Sequence, residues 1–353
     1  MTQKIFTIIF LFLLTTVVWA QSPYIHRVFE YRPAPGQFIN AIPEYEAGDT
    51  QEDMNRKAEE SISGDNKGLI SLGGYGGYVI FGFDHPVVNV SGVADFKVWG
   101  NAISGSAEPG IVMVSYDANG NGEPDDEWFE LAGSEYNSSN TIKNYQITYY
   151  KPIENPKELV NNTYQRWTDN QGTEGYIPRN ATHSQPYYPQ WISDETLSFE
   201  GTKLANNAVD VSGNGSNYVL SAYPWGYVDN YPNNDDRSKL NIEWAVDADG
   251  NPVHLPAIHF VKVYTGLNQT CGWIGETSTE VMGAEDLHPS AVLSIKQIEV
   301  NRWQNVDVYN CFGKKLLSFN TESETNYNIH CNQLPQGIYI LVTGNKTIKF
   351  IKK

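Results

Sequence analysis

The run Asp117-Ala-Asn-Gly-Asn-Gly-Glu-Pro-Asp-Asp-Glu127 sets side-chain oxygens at alternate positions, Asp117, Asn119 and Asn121, with glycine sixth and Asp125 ninth. A hard cation needs several oxygens on a tightly wound backbone, and this spacing supplies the first nine places of a calcium loop. The twelfth place is Trp128 rather than Glu. The run is therefore not an EF-hand, and closure around calcium falls to Asp125, Asp126 or Glu127. The competing reading is an acidic hairpin in which the same Asn and Gly residues favour left-handed turn geometry. A second acidic group is Asp229, Asp235 and Asp236; a third, Asp247-Ala-Asp-Gly-Asn251, reads as a plain turn.

A different chemistry is suggested by Tyr223, Trp225, Tyr227 and Tyr231, interrupted by Pro224, Gly226 and Pro232. Prolines and glycines at that density make a loop. Loop aromatics can offer flat faces to a sugar ring or a corrin-like ligand, with nearby carboxamides and carboxylates fixing its orientation. Packing of long loops onto a β-sandwich is the alternative, and Gln185-Pro-Tyr-Tyr-Pro-Gln-Trp191 invites the same two readings. No Gly-x-Ser-x-Gly elbow, His-Glu-x-x-His pair or signature around a nucleophilic Cys occurs, which speaks against the common hydrolase chemistries. His85 and His288 stand beside carboxylates and read first as structural hydrogen bonders. Paired carboxylates for glycoside cleavage are a separate alternative, because their separation in space is not written in the sequence. Gly73-Gly-Tyr-Gly-Gly77 lacks the Lys-Ser/Thr of a phosphate loop and precedes a strand, so it reads as a bulge or a close approach between sheets.

The elements that must position these residues are strands. The chain has 353 residues, 13% of them aromatic and only 18% charged, with 30 Gly and 18 Pro, a composition rich in strand and turn types. Strands are expected over 69–72, 78–83, 95–99, 111–116, 128–131, 145–149, 218–220, 240–246 and 259–264. The strands at 95–99 and 240–246 carry polar residues at alternate places, leaving one face solvated or facing a ligand. One helix is expected over 49–63, capped by Asp49 or Thr50, with Met54, Ala58 and Ile62 on its buried side. The fold class is all-β: a large jelly-roll-like β-sandwich followed by a small immunoglobulin-like β-sandwich.

Charge divides the chain. Residues 290–353 hold eight basic and four acidic residues, a net +4; residues 21–289 hold 15 and 37, a net −22, within a whole-chain charge of −17. Such acidity argues against a nucleic-acid partner, whose phosphates require Lys/Arg clusters. Residues 1–20, with Lys4 ahead of the apolar run Ile5 to Leu14 and small or branched residues before Gln21, have the layout of a signal peptide and are too short for a comfortable membrane span. No later segment reaches a spanning length, so no transmembrane segment is expected in the mature chain. Cys311 and Cys331 form either a bridge or two buried thiols, with Cys271 left over. The expected division is 1–20 signal peptide, 21–289 surface binding domain and 290–353 C-terminal module. In that module 305–309, 315–319, 337–342 and 347–352 alternate as strands.

The segments Val308-Tyr-Asn-Cys-Phe-Gly-Lys-Lys-Leu-Leu317, Leu334-Pro-Gln-Gly-Ile-Tyr-Ile-Leu-Val342 and Lys349-Phe-Ile-Lys-Lys353 resemble, in order and spacing, the type A C-terminal sorting domain of the type IX secretion system of Bacteroidetes. The resemblance covers about residues 291–353. It implies the type IX machinery as a partner, export across the outer membrane to the surface or beyond, and removal of the domain. The cysteine pair is not required by the family pattern.

Less specifically, Tyr31-Arg-Pro-Ala-Pro-Gly-Gln-Phe38, Ser71-Leu-Gly-Gly-Tyr-Gly-Gly-Tyr78, Phe83-Asp-His-Pro-Val87 and Glu108-Pro-Gly-Ile-Val-Met-Val114 resemble an uncharacterised domain of Bacteroidetes cell-surface proteins. That resemblance implies a jelly-roll surface binding module, some of which accompany nutrient uptake, cobalamin included. It transfers no catalytic residue. The resulting expectation is a secreted, surface-displayed, non-catalytic protein that captures a glycan or small nutrient on Tyr223, Trp225, Tyr227 and Tyr231, supported by calcium at Asp117, Asn119, Asn121, Asp125, Asp126 and Glu127. The alternatives are a glycan-active hydrolase and a cobalamin-binding accessory protein.

Overall fold

Alternating apolar residues become strands where one face, or both, can be buried. In the computed structural model, which describes residues 21–291, 305–310, 314–320, 334–335, 337–343 and 346–352, this produces an all-β sandwich, as expected. The signal segment, Cys311 and Cys331 lie outside the described residues, and the question of their bridge with them. The central layer is a six-stranded antiparallel sheet in the order Arg27–Arg32, Tyr78–Val88, Ala257–Thr265, Gly110–Ser115, Trp128–Leu131 and Ala245–Val246. Its register sets Val79, Val263 and Val112 in one row across three strands, all fully buried. Rows of β-branched residues stabilise a sheet through cross-strand contact.

Both faces of this sheet are covered. One meets the helix and a three-stranded sheet of Lys239–Leu240, Phe96–Trp99 and Gly283–Asp286, in a core that includes Met54, Ile62, Phe81, Phe96, Val98 and Val261. The other meets a four-stranded antiparallel sheet, Thr196–Lys203, Ile142–Tyr150, Asn161–Asp169 and Glu174–Arg179, across a second core rich in tyrosine. The helix runs Gln51–Ile62 with Thr50 and Asp53 forming a reciprocal capping box, and Met54, Ala58 and Ile62 are its buried residues.

The stretch 240–246 departs from the expected strand. It is two short strands broken by a 3-10 turn, Ile242–Trp244. The break is local chemistry. The Asn241 side chain accepts from Glu243 N at 2.8 Å, and buried Asp95 takes Ile242 N at 2.8 Å, so two backbone donors leave the ladder for side-chain oxygens.

In the C-terminal module the four alternating segments form one antiparallel sheet, Lys315–Asn320, Asn305–Asn310, Gly337–Thr343 and Lys346–Lys352. Its core holds Val306, Val308, Leu334, Tyr339 and Leu341.

The glycine run is where the two large sheets touch. Gly76 has φ +84 and lies against the Cβ of Phe199 on the four-stranded sheet; a Cβ on Gly77 would overlap the Leu72 carbonyl oxygen and the Ala34 nitrogen. The obstacles at Gly77 are backbone atoms, which cannot swing aside. Gly77→Ala should therefore destabilise the protein by about 1–3 kcal/mol or more, lowering Tm by about 2–4 °C per kcal/mol. An unchanged Tm would show that the backbone at Leu72 and Ala34 can give way here.

A second tie is His85, almost wholly buried, with Nδ1 2.6 Å from Asp84 Oδ1 and Nε2 2.7 Å from Asp286 Oδ2. An imidazole donates from both nitrogens only when protonated. Burial works against the charged ring, but the hydrogen bonds to Asp286 and Asp84 outweigh it and raise its pKa. The stabilisation is thus fully present below the unfolded value of about 6.5 and is lost as pH rises through the raised folded value. The Tm gap between the chain and its His85→Gln variant should be widest near about pH 6 and close toward about pH 9; a gap that widens with pH would contradict the charged clamp.

Candidate functional site

The acidic run forms a hairpin between Gly110–Ser115 and Trp128–Leu131, which are paired strands. Asp117 winds it: Oδ1 accepts from Gly120 N at 2.6 Å and Asn121 N at 3.1 Å, and Oδ2 from Gly122 N at 3.0 Å. Gly122, at φ +76, supplies the left-handed turn at the sixth place. Asn119 and Asn121 donate their amide nitrogens to Asp125 at 3.0–3.2 Å, and Asp126 accepts from Ala118 N at 3.0 Å. Five of the six expected ligand residues are thereby tied into one hydrogen-bonded loop. Glu127 is exposed and takes no part in these bonds. Rotating the two carboxamides by half a turn would exchange the donors facing Asp125 for oxygens of the kind a cation binds.

The aromatic loop is divided among three environments. Tyr227 is only 3% exposed; its hydroxyl accepts from Glu135 N at 3.0 Å and its ring lies against Gly133. Tyr223 packs on it with ring centroids 5.6 Å apart and donates its hydroxyl to the Ala205 carbonyl. Both belong with Ile111, Leu204, Tyr264 and Leu267 to a small core. Trp225, 39% exposed, leans on Trp244 at 4.7 Å, and Tyr231 lies beneath the Arg237 guanidinium at 3.8 Å. The four rings therefore present no common face. Asn230 shapes the loop by accepting from Tyr223 N at 2.8 Å and donating to Tyr223 O at 2.7 Å.

The chain just beyond this loop reaches a cavity of about 290 Å³ lined by Lys67, Trp99, Asn233, Asn234 and Met282. Trp99 ends the strand Phe96–Trp99, sits against Gly283 and meets Tyr24 at 5.7 Å. Asn233 is fixed by a reciprocal pair with Gly100, Oδ1 accepting from its N at 3.1 Å and Nδ2 donating to its O at 2.7 Å. Lys97 donates to the Asn233 carbonyl, while the Asn234 side chain stands exposed at the rim. Lys67 Nζ lies 5.3 Å from the Trp99 ring centroid and 2.9 Å from Asp65. The signal for this cavity was the polar alternation of 95–99; nothing in the spacing pointed to Asn233 or Asn234.

Behind Gly100 is a cluster that sequence reasoning missed. One carboxylate oxygen each from Glu108, Asp229 and Glu280 lies within 4.8 Å of the others. Asp229 is separated from its sequence neighbours Asp235 and Asp236. Asp235 forks onto Arg237 at 2.6 and 2.9 Å, which holds its carboxyl down at about 2, and Asp236 pairs with Lys239 at 2.7 Å. Asp229 accepts from Ala102 N at 2.7 Å and Glu280 N at 3.0 Å; Glu280 accepts from Ser71 Oγ at 3.1 Å and from Ser278 Oγ. Burial first, then mutual repulsion, pushes Glu108 and Asp229 well above the ordinary carboxylate range; burial also raises Glu280. No pattern could have found this group, because its members come from three distant segments.

Two of the carboxylates are 3% exposed, so the cluster is closed to a polysaccharide chain. His288, read first as a structural hydrogen bonder, makes such contacts: its Nε2 contacts Ala94 O at 2.9 Å and its N donates to Asp286 at 2.7 Å.

No helix among the described residues is long and apolar enough to cross a membrane. No curated protein matches the chain. Residues 288–353 match the secretion system C-terminal sorting domain, which places the start of the module within two residues of the charge boundary. The C-terminal module therefore belongs to the type IX secretion sorting-domain family, and the protein is exported by that route to the cell surface or the extracellular space.

Proposed function

We propose that the exported domain is a non-catalytic binding protein that captures one sugar-sized ligand, a glycan residue or small nutrient, in the cavity beside Trp99. The observation that carries this reading is the pairing of an indole wall with pinned and free carboxamides. An aromatic surface takes the apolar face of a ring, and a few placed polar groups orient it. At about 290 Å³ the cavity suits a single pyranose and is too small for a corrin ring, which disfavours cobalamin at this position. The hydrolase alternative finds less support, because the clustered carboxylates are closed off rather than lining the cavity.

Isothermal titration of the full chain against neutral mono- and oligosaccharides tests the proposal. Asn234→Ala and Trp99→Phe should each weaken binding roughly tenfold, the usual scale for a contact in a small interface. Unchanged affinity in both variants would refute the site, and glycan turnover abolished by a carboxylate-to-amide change would replace binding with hydrolysis.

Calcium in the Asp117 loop belongs to the same proposal, supported by the wound loop with Asp117, Asn119, Asn121, Asp125 and Asp126 in one cluster. Asp117→Asn should bind one calcium fewer than the unaltered chain in the same calorimeter. Equal stoichiometry would leave the loop as a hairpin only.

A further inference from the structure

We propose that Glu108, Asp229 and Glu280 hold a calcium ion in the interior of the sandwich, at a site separate from the Asp117 loop. The three carboxylates converge from the segment before Gly110–Ser115, the loop after Tyr227 and the short strand Glu280–Val281. None of the ion pairs formed among the described residues includes any of them. The neutral donors around them are the hydroxyls of Ser71 and Ser278, the backbone amides of Ala102 and Glu280, and Asn101, whose side chain bonds to Glu280 and whose backbone bonds to Asp229. The Glu108 carboxyl has the Glu280 carboxyl as its hydrogen-bonding neighbour. Adjacent buried carboxylates cannot all be ionised unless something positive lies among them. That something is either shared protons or a cation.

A fourth carboxylate favours the cation. Glu276 stands four residues before Glu280, whose charge it feels, and Ser278 between them donates to Glu280. Glu276 is 3% exposed, and its charge bears on Glu108. Its Oε1 accepts from Gln37 N at 2.6 Å, but Oε2 has no hydrogen-bond partner. A buried lone pair with no donor, added to three crowded carboxylates, is an arrangement that a positive ion stabilises and an apolar interior does not.

The donor set selects the ion. A converging set of three carboxylates with hydroxyl and carboxamide oxygens beside it suits a hard cation. Oxygens within 4.8 Å of each other can share an ion at the roughly 2.4 Å typical of calcium. Three independent segments also suit the irregular coordination that calcium accepts and magnesium resists. The ion would tie the Asp229 loop, and so Asn233 and Asn234 after it, to the strand leading to Met282.

The test uses the full chain carrying Asp117→Asn, so that the surface loop does not report. After dialysis without chelator, elemental analysis should find about one calcium per chain. EGTA should lower Tm, and added calcium should restore it. Glu108→Gln, which keeps the side-chain shape and removes one charge, should remain folded by circular dichroism and bind calcium at least about tenfold more weakly.

Shared protons predict the opposite. Carboxyls with raised folded pKa values bind protons that the unfolded chain has released, so stability would fall as pH rises above about 4.3 toward the folded values. A calcium-free protein whose Tm ignores EGTA and calcium, drops between about pH 6 and 9 and loses that drop in Glu108→Gln would overturn the proposal.

Discussion

The constraint on which the rest of this sandwich depends is the burial of negative charge. Asp95, Asp229, Glu276, Glu280 and Asp286 are each 3% exposed or less, and a buried carboxylate is tolerable only where donors or a cation surround it. Each accepts at least one hydrogen bond from a distant part of the chain, although one oxygen of Glu276 has no donor. Asp95 takes Val90 N and Ile242 N, Asp286 takes the His85 ring, and Glu276 takes Gln37 N. The acids thus act as cross-links between loops that the sheets leave unpaired. Burial pushes the Asp95 carboxyl up to about 6, against the pull of its two backbone donors.

The candidate binding features lie where these cross-links act. Gly100 lies directly against Asp229, and its backbone pairs with the Asn233 side chain. The cavity wall and the acidic cluster are therefore two sides of one short segment. A loop held only by its own turns would let Asn234 wander. Tying Asp229 to the amides of Ala102 and Glu280 sets the loop's entry, and Asn230 fixes its return on Tyr223. Rigid placement of a few polar groups is what a small-ligand site needs.

How much of this was legible follows from which signals are local. The helix was, because Thr50 capping and the Met54, Ala58, Ile62 spacing are contained in one stretch. So were the four strands of the sorting module and the tight contact at Gly73–Gly77. The strand Thr196–Lys203 was not, although Leu197 and Phe199 alternate with exposed Thr196, Ser198 and Glu200, because two apolar residues in eight are a weak signal. At 240–246 alternation gave way to two side-chain acceptors, Asn241 and Asp95, one of them far away in sequence. The aromatic loop misled for a related reason. Tyr223 and Tyr227 have the composition of a platform, but Gly226 brings the chain so close to Gly133 that Tyr227 turns inward. Composition reports which rings are present, and only tertiary contact decides which of them face water.

The acidity that dominates residues 21–289 is cancelled locally at the cavity. Lys67 is paired with Asp65, Lys239 with Asp236, and Lys97 is bound to the Asn233 carbonyl, leaving indole, thioether, carboxamide and one paired ammonium as the lining chemistry. A strongly anionic ligand would meet an acidic surface on approach and no unpaired cation among the described lining residues. A polycation would find the acidic surface attractive but no carboxylate in the cavity to hold it. Neutral, hydroxyl-rich rings are the class for which neither penalty arises, since carboxamides exchange hydrogen bonds with hydroxyls in either direction and the indole face takes the C–H side of the ring. On the proposed reading, the field of the domain would favour cation binding, while recognition would be left to a small surface within it that carries no unpaired charge.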